Sequence, residues 1–495
     1  MQTTTAALFT FIVIFFLDRN FRVLPNALHE YLPTHHAGLV ITDLTLTTCS
    51  SINVFSSCKL DPAVWHRVEK DLYLRKGVFA SAYLHVQRKR EEELTPDDRV
   101  VVDVAVGRLN PGAASDDRKG KGKGGEEDGK RRVDKGDAAE PWEARPGGLW
   151  IKRSNKRGVS DSKDAVTSVD VLFGEDAVEA RPGWEMIKGT ELLLDGGSKI
   201  PSAHVTVRRG AEQDPFKPPL KIQDNGRFKI VQLADLHLST GVGHCRDAMP
   251  EDWNGGKCEA DPRTLDFVVK ILDEERPDLV VLSGDQVNGD TAPDVQTVSA
   301  RRPLQLVQRN PTPLTYHHQA IFKYAEILIK RKIPYVSIFG NHDDEGSMSR
   351  AEQMDLIEKL PYSLSKAGPA DIDGVGNYYV EVLARGGSGH SAITVYLLDT
   401  HSYSPNERKF KGYDWIKKNQ IDWFRSTAQG LKRKHKEYTH HHMDVSFIHI
   451  PIPEYVLPNL TFVGEWKEPS TAPQYNSGFY DALVEEGVVM VSCGQ

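Results

Sequence analysis

The chain has 495 residues, of which 39% are hydrophobic and 8% aromatic, and its formal net charge is −7. This length exceeds that of one average domain and predicts two domains with tails. The acidic balance does not indicate a nucleic-acid binder, because the basic residues are dispersed or lie in one low-complexity run.

An apolar run near the N-terminus, Ala6–Leu17, is followed by Asp18 and Arg19. Its length is at the lower limit for a helix that spans a membrane, and it also fits the apolar part of a secretory signal. We interpret residues 1–37 as a signal-anchor or transmembrane segment with a connector, so we expect the membrane to be a partner. The positive charges of Arg19 and Arg22 follow the run, and this order alone would place the body of the protein in the cytoplasm.

The cysteines favour the opposite side of the membrane. Two close pairs, Cys49/Cys58 and Cys245/Cys258, are typical of disulfides in an oxidising compartment, with free buried thiols as the alternative. Asn459–Thr461 is a glycosylation sequon. Together with the apolar run, these features favour the secretory pathway (endoplasmic reticulum, vacuole or cell surface) and leave the orientation open.

Residues 38–225 are rich in short segments with alternating polarity, such as GLVITDLTL, RVVVDVAVGRL and AHVTVRR. We predict a β-rich, sandwich-like accessory domain there, with one amphipathic helix over Ala63–Leu74. Residues 112–140 contain almost no apolar side chain and are expected to be a disordered loop rather than a contact for an anionic surface. The tag EARPG occurs at residues 143–147 and 179–183, which suggests a short repeat or a chance match.

Three short apolar runs then end in polar residues: FKIVQLADLHLS, PDLVVLSGDQVNGD and IPYVSIFGNHDDEG. Each is typical of a strand buried on both faces of a parallel sheet. Arg263–Glu275 and Ile321–Lys332 have helical spacing and separate the runs. Strand, helix, strand, helix, strand predicts right-handed crossovers, with the three polar tips at one edge of the sheet.

The side chains that should meet at this edge are two aspartates, two histidines and an asparagine: Asp235, His237, Asp285, Asn341 and His342. Oxygen and imidazole ligands of this kind suit Mn²⁺, Fe or Zn²⁺. Each motif alone is common by chance, but the ordered set of three at strand ends predicts a metal site.

Residues 298–319 interrupt the entry to the second helix with three prolines and no clear period. A loop of this length inside a compact domain is uncommon. We interpret it as an anomalous insertion, with a retained intron as its origin, and we do not count His317 and His318 as ligands.

Further along, YYVEVLA and SAITVYLLDT predict two strands, Trp415–Leu431 predicts a helix, and VSFIHIPIPEY places His449 at the end of another strand. The triplet His440–His442 resembles a metal-binding cluster, but its charged surroundings favour a solvated loop.

In its ordered motifs, D-x-H, G-D-x-x, G-N-H-D and a later lone His, the segment 226–495 resembles the calcineurin-like metallophosphoesterases. The stretches LADLHLSTGVGHCRD, LSGDQVNGD and FGNHDDEG are similar to a fungal, membrane-associated branch, one member of which is linked to cell-cycle dosage control and to damping the unfolded-protein response. The resemblance implies an α/β fold with a β-sandwich core flanked by helices (four layers, αββα).

For the site, the resemblance implies two divalent metal ions (Mn, Fe or Zn) and a phosphoester substrate, with a phosphoprotein as one option. Asp235 and His237 would bind the first ion, Asn341 and His449 the second, and Asp285 both. A bridging hydroxide would then hydrolyse a phosphate monoester.

The same resemblance assigns four further positions. His342 would be the general acid, Asp343 would orient it, and His401 would line the substrate pocket. Asn288 stands where purple acid phosphatases have a tyrosine, so no Fe³⁺-phenolate colour is expected.

One family motif, G-H-x-H, does not appear: the sequence reads EEGVVMVSCGQ, with Gln495 in place of the first histidine. We interpret this as a truncated gene model and expect fewer than two metals per chain and weak activity. The alternative is a catalytically impaired or dead relative that acts as a binding or regulatory module.

Overall fold

The computed structural model describes residues 39–49, 60–73, 81–112, 140–155, 165–194, 201–246, 248–288, 318–346, 348–387, 389–435, 442–465 and 469–495. The predicted N-terminal anchor, almost all of the loop 112–140 and most of the insertion 298–319 lie outside these residues. No helix within the described ranges combines the length and the apolar character needed to cross a membrane.

The described residues form two compact units. The first consists of those up to Glu175 together with Gly183–Gln213, and the second of Asp176–Pro182 and those from Asp214 onward. The second unit therefore begins before the predicted boundary at residue 226.

The first unit is built from strands, as its alternating sequence predicts. They are β1 (Leu39–Cys49), β2 (Trp65–Arg67), β3 (Ser81–Arg90), β4 (Val100–Val106), β5 (Trp142–Arg145), β6 (Leu149–Ser154), β7 (Val166–Phe173), β8 (Trp184–Met186) and β9 (Ala203–Arg209). They make three antiparallel sheets with the orders β1-β3-β2, β4-β6-β5 and β7-β9-β8. The same order three times reveals an internal threefold repeat.

Ion pairs connect the three repeats in a closed cycle. The first strand of each repeat carries an aspartate whose carboxylate accepts a hydrogen bond from the next backbone N–H: Asp43, Asp103 and Asp170. Each aspartate pairs with a cation of another repeat, at 2.9 Å for Asp43–Arg145, 2.7 Å for Asp103–Arg209 and 2.7 Å for Asp170–Lys70. The pairs thus join the first repeat to the second, the second to the third and the third to the first.

The expected helix over Ala63–Leu74 is wrong. Within its described part, residues 65–67 form β2, and the N–H groups of Val68 and Leu72 donate to β3 at 2.8 Å each. Of the two interpretations of the EARPG tags, the positions favour a chance match over a short repeat, since residues 143–145 lie in β5 whereas residues 179–181 precede β8. The repeat is marked instead by the tryptophan that begins β2, β5 and β8.

The second unit contains the predicted alternation of strands and helices. The strands are β10 (Leu220–Lys221), β11 (Ile230–Leu233), β12 (Leu279–Ser283), β13 (Tyr335–Ile338), β14 (Tyr378–Leu383), β15 (Ser391–Leu397), β16 (Met443–Phe447) and β17 (Val488–Ser492). The helices are α1 (Ala260–Glu275), α2 (His318–Arg331), α3 (Arg350–Glu358), α4 (Lys418–His435) and α5 (Phe479–Glu485).

Two sheets form the centre of this unit. One is the parallel sheet β11-β12-β13 and the other the mixed sheet β10-β14-β15-β16-β17. Leu279 and Val281 of the first pack in one buried cluster with Val395 and Phe447 of the second. Because side chains alternate along a strand, Val280 and Leu282 of the first sheet face away from this cluster.

Helices cover the outside of the mixed sheet. Tyr396 on β15 packs with Phe424 and Leu431 of α4 and with Phe479 of α5 in a second buried cluster. The predicted α/β fold with a sandwich core and flanking helices is confirmed. The predicted disulfide Cys245–Cys258 is present as well. Cys49 is also disulfide-bonded, while its predicted partner Cys58 lies outside the described residues.

Candidate metal centre

The three predicted strand tips meet at one edge of the parallel sheet. The pairing of β11 with β12 continues past the strands, because Asp235 N–H donates to Gly284 O and His237 N–H to Asp285 O, both at 3.0 Å. From the third tip, His342 N–H donates to the Asp285 carboxylate at 2.8 Å. The first two loops are therefore held together by backbone contacts, and the third is joined to them through the Asp285 carboxylate.

The chain turns sharply at these tips. Asp235, His237 and Asp285 all have positive φ, between 46° and 56°, which is uncommon for residues other than glycine. Gly284 has a φ of 99°, and a Cβ there would lie 2.4 Å from His449 Nδ1. Glycine is required at this position because any side chain would strike the imidazole of His449.

The potential ligand atoms form a compact group. Ligand atoms of Asp235, Asp285 and His449 all lie within 4.8 Å of one another, which makes them a candidate metal-binding group within the described residues. His449 Nε2 is 3.2 Å from Asp285 Oδ2 and 3.3 Å from Asn341 Oδ1. His237 Nε2 lies 3.8 Å from Asp235 Oδ1 and 3.9 Å from Asp285 Oδ2. All five predicted ligands thus come together.

The tautomer of His449 is determined by its surroundings. Its Nδ1 is 2.8 Å from the carbonyl oxygen of Ser283, so Nδ1 carries the proton and donates it. The other nitrogen, Nε2, faces Asp285 and Asn341, where a neutral imidazole offers a lone pair to a cation. His449 and Asn341 are completely buried, so this part of the site is closed to bulk water.

The close carboxylates and imidazoles shift the pKa values of one another. The neighbouring Asp235 carboxylate raises the pKa of His237 above its usual value, although burial opposes this. Burial alone would lower the pKa of His449, but the contact with Asp285 outweighs it and raises that pKa. Likewise, burial would raise the pKa of Asp285, but His449 and the N–H of His342 bring it below its usual value. A divalent cation at this place would take over the role of the protons.

The predicted general acid, His342, is oriented by a different residue from the one expected. The Asp343 carboxylate points inward and accepts hydrogen bonds from the N–H groups of Asp285 (2.8 Å), Val287 (3.0 Å) and Gly340 (2.6 Å). Glu345 takes the expected place, with Oε2 2.7 Å from His342 Nδ1. Assigning Asp343 as the orienting group was wrong, because its carboxylate instead accepts hydrogen bonds from the backbone of the second and third tips.

A buried arginine, Arg350 on α3, stabilises the third tip by hydrogen bonds. Its guanidinium donates to the carboxylates of Asp399 and Asp344 and to the carbonyl oxygens of Gly340 (2.7 Å) and His401 (3.1 Å). Nothing in the local sequence indicated this role. The role of Glu345, in contrast, could have been considered from the sequence, because it is a carboxylate three residues after His342.

His401 does not present its ring to the ligand group. Its Nε2–H donates to Gln420 Oε1 at 2.8 Å, and its N–H donates to Asp399 at 2.9 Å. The predicted contact of His401 with substrate therefore has no support in the position of its side chain. His442 of the predicted solvated triplet contacts Thr394 Oγ1 and Ser391 O, while His440 and His441 lie outside the described residues.

The chain is similar in sequence to several known proteins. Residues 228–473 match the family model described as calcineurin-like phosphoesterase. The phosphatase DCR2 of Saccharomyces cerevisiae is 35% identical over 343 residues, which cover 66% of this chain and 54% of the yeast protein. The probable inactive purple acid phosphatase 14 of Arabidopsis thaliana is 34% identical over 285 residues, 54% of this chain and 65% of the plant protein.

An uncharacterized protein of Schizosaccharomyces pombe is 25% identical over 441 residues, which cover 87% of this chain and 70% of that protein. The chain thus spans about half of the length of the Saccharomyces cerevisiae protein and about two thirds of that of the Arabidopsis thaliana protein.

Proposed function

From the membership of residues 228–473 in the calcineurin-like phosphoesterase family, we propose that the chain is a metal-dependent phosphatase that hydrolyses phosphate monoesters at a dinuclear centre. The observation that carries this proposal is the convergence of Asp235, Asp285 and His449 within 4.8 Å of one another at the edge of the parallel sheet. His237 and Asn341 complete a set of oxygen and nitrogen donors.

The residues present fit divalent cations. The donors are hard oxygens and imidazoles, His449 donates through Nδ1 so that Nε2 can offer its lone pair to a cation, and the carboxylates are close enough to repel one another without positive charge. Asp235 and His237 would hold one ion, Asn341 and His449 the other, and Asp285 both. Two such ions, of Mn, Fe or Zn, neutralise an anionic ester and supply a hydroxide nucleophile at neutral pH.

The protein itself supplies the proton for the leaving group. His342 is partly exposed beside the ligand group, and its ring centre lies 5.4 Å from that of His237. Its Nδ1–H donates to Glu345, which leaves Nε2 as the nitrogen available to the ester. In this role His342 protonates the departing alkoxide, a step that matters most for poor leaving groups.

The test compares an alkyl phosphate with p-nitrophenyl phosphate after metal loading. Removing a general acid costs about 100-fold or more on the alkyl ester, so His342→Ala should lose at least that much there and less than about tenfold on the nitrophenyl ester. Asp285→Asn serves as the control that lowers both. Equal losses on the two esters for His342→Ala would exclude the assignment of His342 as the acid.

A second candidate is a binding module that has lost turnover. It is favoured by the relatives whose names describe them as probable inactive purple acid phosphatases. The two candidates differ in one measurement: a module binds metal and a phosphate analogue yet leaves both esters intact, whereas the enzyme hydrolyses at least the nitrophenyl ester.

The proposal extends to the location of the protein. The disulfide Cys245–Cys258 and the exposed sequon at Asn459 support a place in the secretory pathway. The apolar run in residues 1–37 supports membrane attachment, and a phosphoprotein is one substrate that fits the proposed reaction. Deglycosylation should increase the gel mobility of the wild type and leave that of Asn459→Gln unchanged. Carbonate extraction should leave the protein with the membrane, and its release would refute the attachment.

A further inference from the structure

A short hairpin beside the site, residues 401–414, carries a tyrosine towards the proposed general acid. Tyr403 and Tyr413 pair across the hairpin, Ser404 N–H donates to Gly412 O at 2.8 Å, and Asp414 N–H donates to Ser402 O at 3.0 Å. These contacts make the hairpin a defined element rather than an open loop.

The hairpin is fastened to the loop that carries the site. Ser402 Oγ donates to the carbonyl oxygen of Asn341 at 2.9 Å, and Arg350 donates to that of His401 at 3.1 Å. Asn341 is a proposed metal ligand and Arg350 also holds Gly340, so the base of the hairpin moves with the third tip. Tyr403 therefore has a fixed position relative to His342.

The Tyr403 hydroxyl contacts the residue that orients His342. It donates to Glu345 Oε1 at 3.1 Å, while Glu345 Oε2 accepts from His342 Nδ1 at 2.7 Å. One carboxylate thus connects the phenol with the imidazole through its two oxygens. The ring centres of Tyr403 and His342 are 6.4 Å apart and the rings are nearly perpendicular.

We propose that Tyr403 is a positioning residue that fixes the Glu345 carboxylate and through it the ring of His342. The proposal rests on the function assigned to His342 above. A glutamate with one hydrogen bond keeps rotamer freedom in its three side-chain torsions, and a second bond at the other oxygen removes much of it. His342 then keeps Nδ1 on Glu345 and Nε2 available to the ester.

Two further observations support this role. Tyr413 stacks on Tyr403 with ring centres 5.7 Å apart and planes inclined by 21°, which holds the phenol in place. Tyr403 nevertheless remains 46% exposed, so burial of its ring does not account for its position.

The experiment uses the metal-loaded full chain and Tyr403→Phe, with Tyr413→Phe as the control that retains the stacked ring. Loss of a hydrogen bond to a charged acceptor corresponds to about tenfold. We expect kcat on an alkyl phosphate to fall about tenfold in Tyr403→Phe, with KM and the nitrophenyl rate within about twofold. Tyr413→Phe should match the wild type, and equal losses in the two variants would overturn the proposal.

A double-mutant cycle tests the route through Glu345. In a Glu345→Gln background, Tyr403→Phe should have little additional effect on the alkyl ester, because the carboxylate through which it acts is gone. A full tenfold loss in that background means that Tyr403 acts elsewhere, and this would refute the proposal.

A spectroscopic readout keeps the proposal separate from the proposed function. If the wild type hydrolyses neither ester, the proposed phosphatase function is refuted. The hydrogen bonds from Tyr403 through Glu345 to His342 can then still be tested by ¹⁵N NMR of histidine-labelled protein. The His342 Nδ1 signal should shift in Tyr403→Phe and stay in place in Tyr413→Phe. An unchanged signal in Tyr403→Phe would overturn the positioning role whatever the activity.

Discussion

Replacing Arg350 by methionine tests how the third tip is held in place. The guanidinium of Arg350 is only 9% exposed, and the carboxylate of Asp399 that it contacts is completely buried. Methionine has a similar length and no charge, so Arg350→Met leaves Asp399 as a buried charge without its cation. The carbonyl oxygens of Gly340 and His401 lose a donor at the same time.

The expected loss follows from the burial of each partner. Removing one member of a buried ion pair costs about 3–5 kcal/mol, because the remaining charge stays desolvated. Asp344 adds little, since its side chain is 34% exposed and water can replace the lost contact. We therefore expect Arg350→Met to lower the free energy of unfolding by about 3–5 kcal/mol, and Asp399→Asn in the same chain to recover part of it.

Urea unfolding of the wild type and the variants measures this difference, and its pH dependence gives a second check. Burial alone would raise the pKa of Asp399, but Arg350, His401 and two backbone N–H groups outweigh it and lower the pKa. The stabilisation is therefore complete above the unfolded pKa of about 3.9 and is lost as the pH falls through the lower folded pKa. A difference below about 1 kcal/mol at pH 7, or an equal difference at pH 7 and pH 3, would refute the reasoning.

Three further outcomes are expected. Gly284→Ala should destabilise the protein by about 3 kcal/mol and weaken metal binding, because its Cβ would strike His449 at a φ of 99°; unchanged melting and metal affinity would contradict this. Lys70→Met should lower the urea midpoint of the first unit, because it removes the buried 2.7 Å ion pair with Asp170, and the expected loss in unfolding free energy is about 3 kcal/mol. Mn²⁺ affinity by calorimetry should fall as the pH decreases, because the raised pKa values of His237 and His449 let protons compete; a constant affinity between pH 8 and pH 5 would argue against this.

The fold of the second unit was predictable because its signals are local. Strands β12 and β13 are short runs of buried apolar residues, and α1 lies between β11 and β12 with helical spacing. The threefold repeat of the first unit was not predictable in the same way. Its marks are single residues, a tryptophan and an aspartate in each repeat, separated by connections of unequal length. Their equivalence appears only when the strands pair.

In the candidate site, too, some contacts could be predicted from the sequence and others could not. His449 follows β16 of the mixed sheet, and its place among the ligands came only from the family resemblance. The convergence of the other four, which end three strands of the parallel sheet, could be deduced without coordinates. The partner of His342 could not, because three acidic residues, Asp343, Asp344 and Glu345, follow it in sequence. The path of the backbone decides between them: it directs Asp343 inward to three N–H groups, Asp344 to Arg350 and Glu345 to His342.

The strained backbone at the tips explains why this site needs such extensive support. Positive φ at Asp235, His237, Asp285 and His401 costs about 1–3 kcal/mol at each position, and such strain persists only where the surroundings determine the conformation. The parallel backbone contacts between the first two tips, the three hydrogen bonds to Asp343 and the donors of Arg350 supply that constraint. These contacts end on the loops that carry the proposed ligands and His342, and those of Arg350 also reach Asp399 and His401. The geometry of the site is therefore imposed by the protein, and the side chains that would bind the proposed cations are already in place.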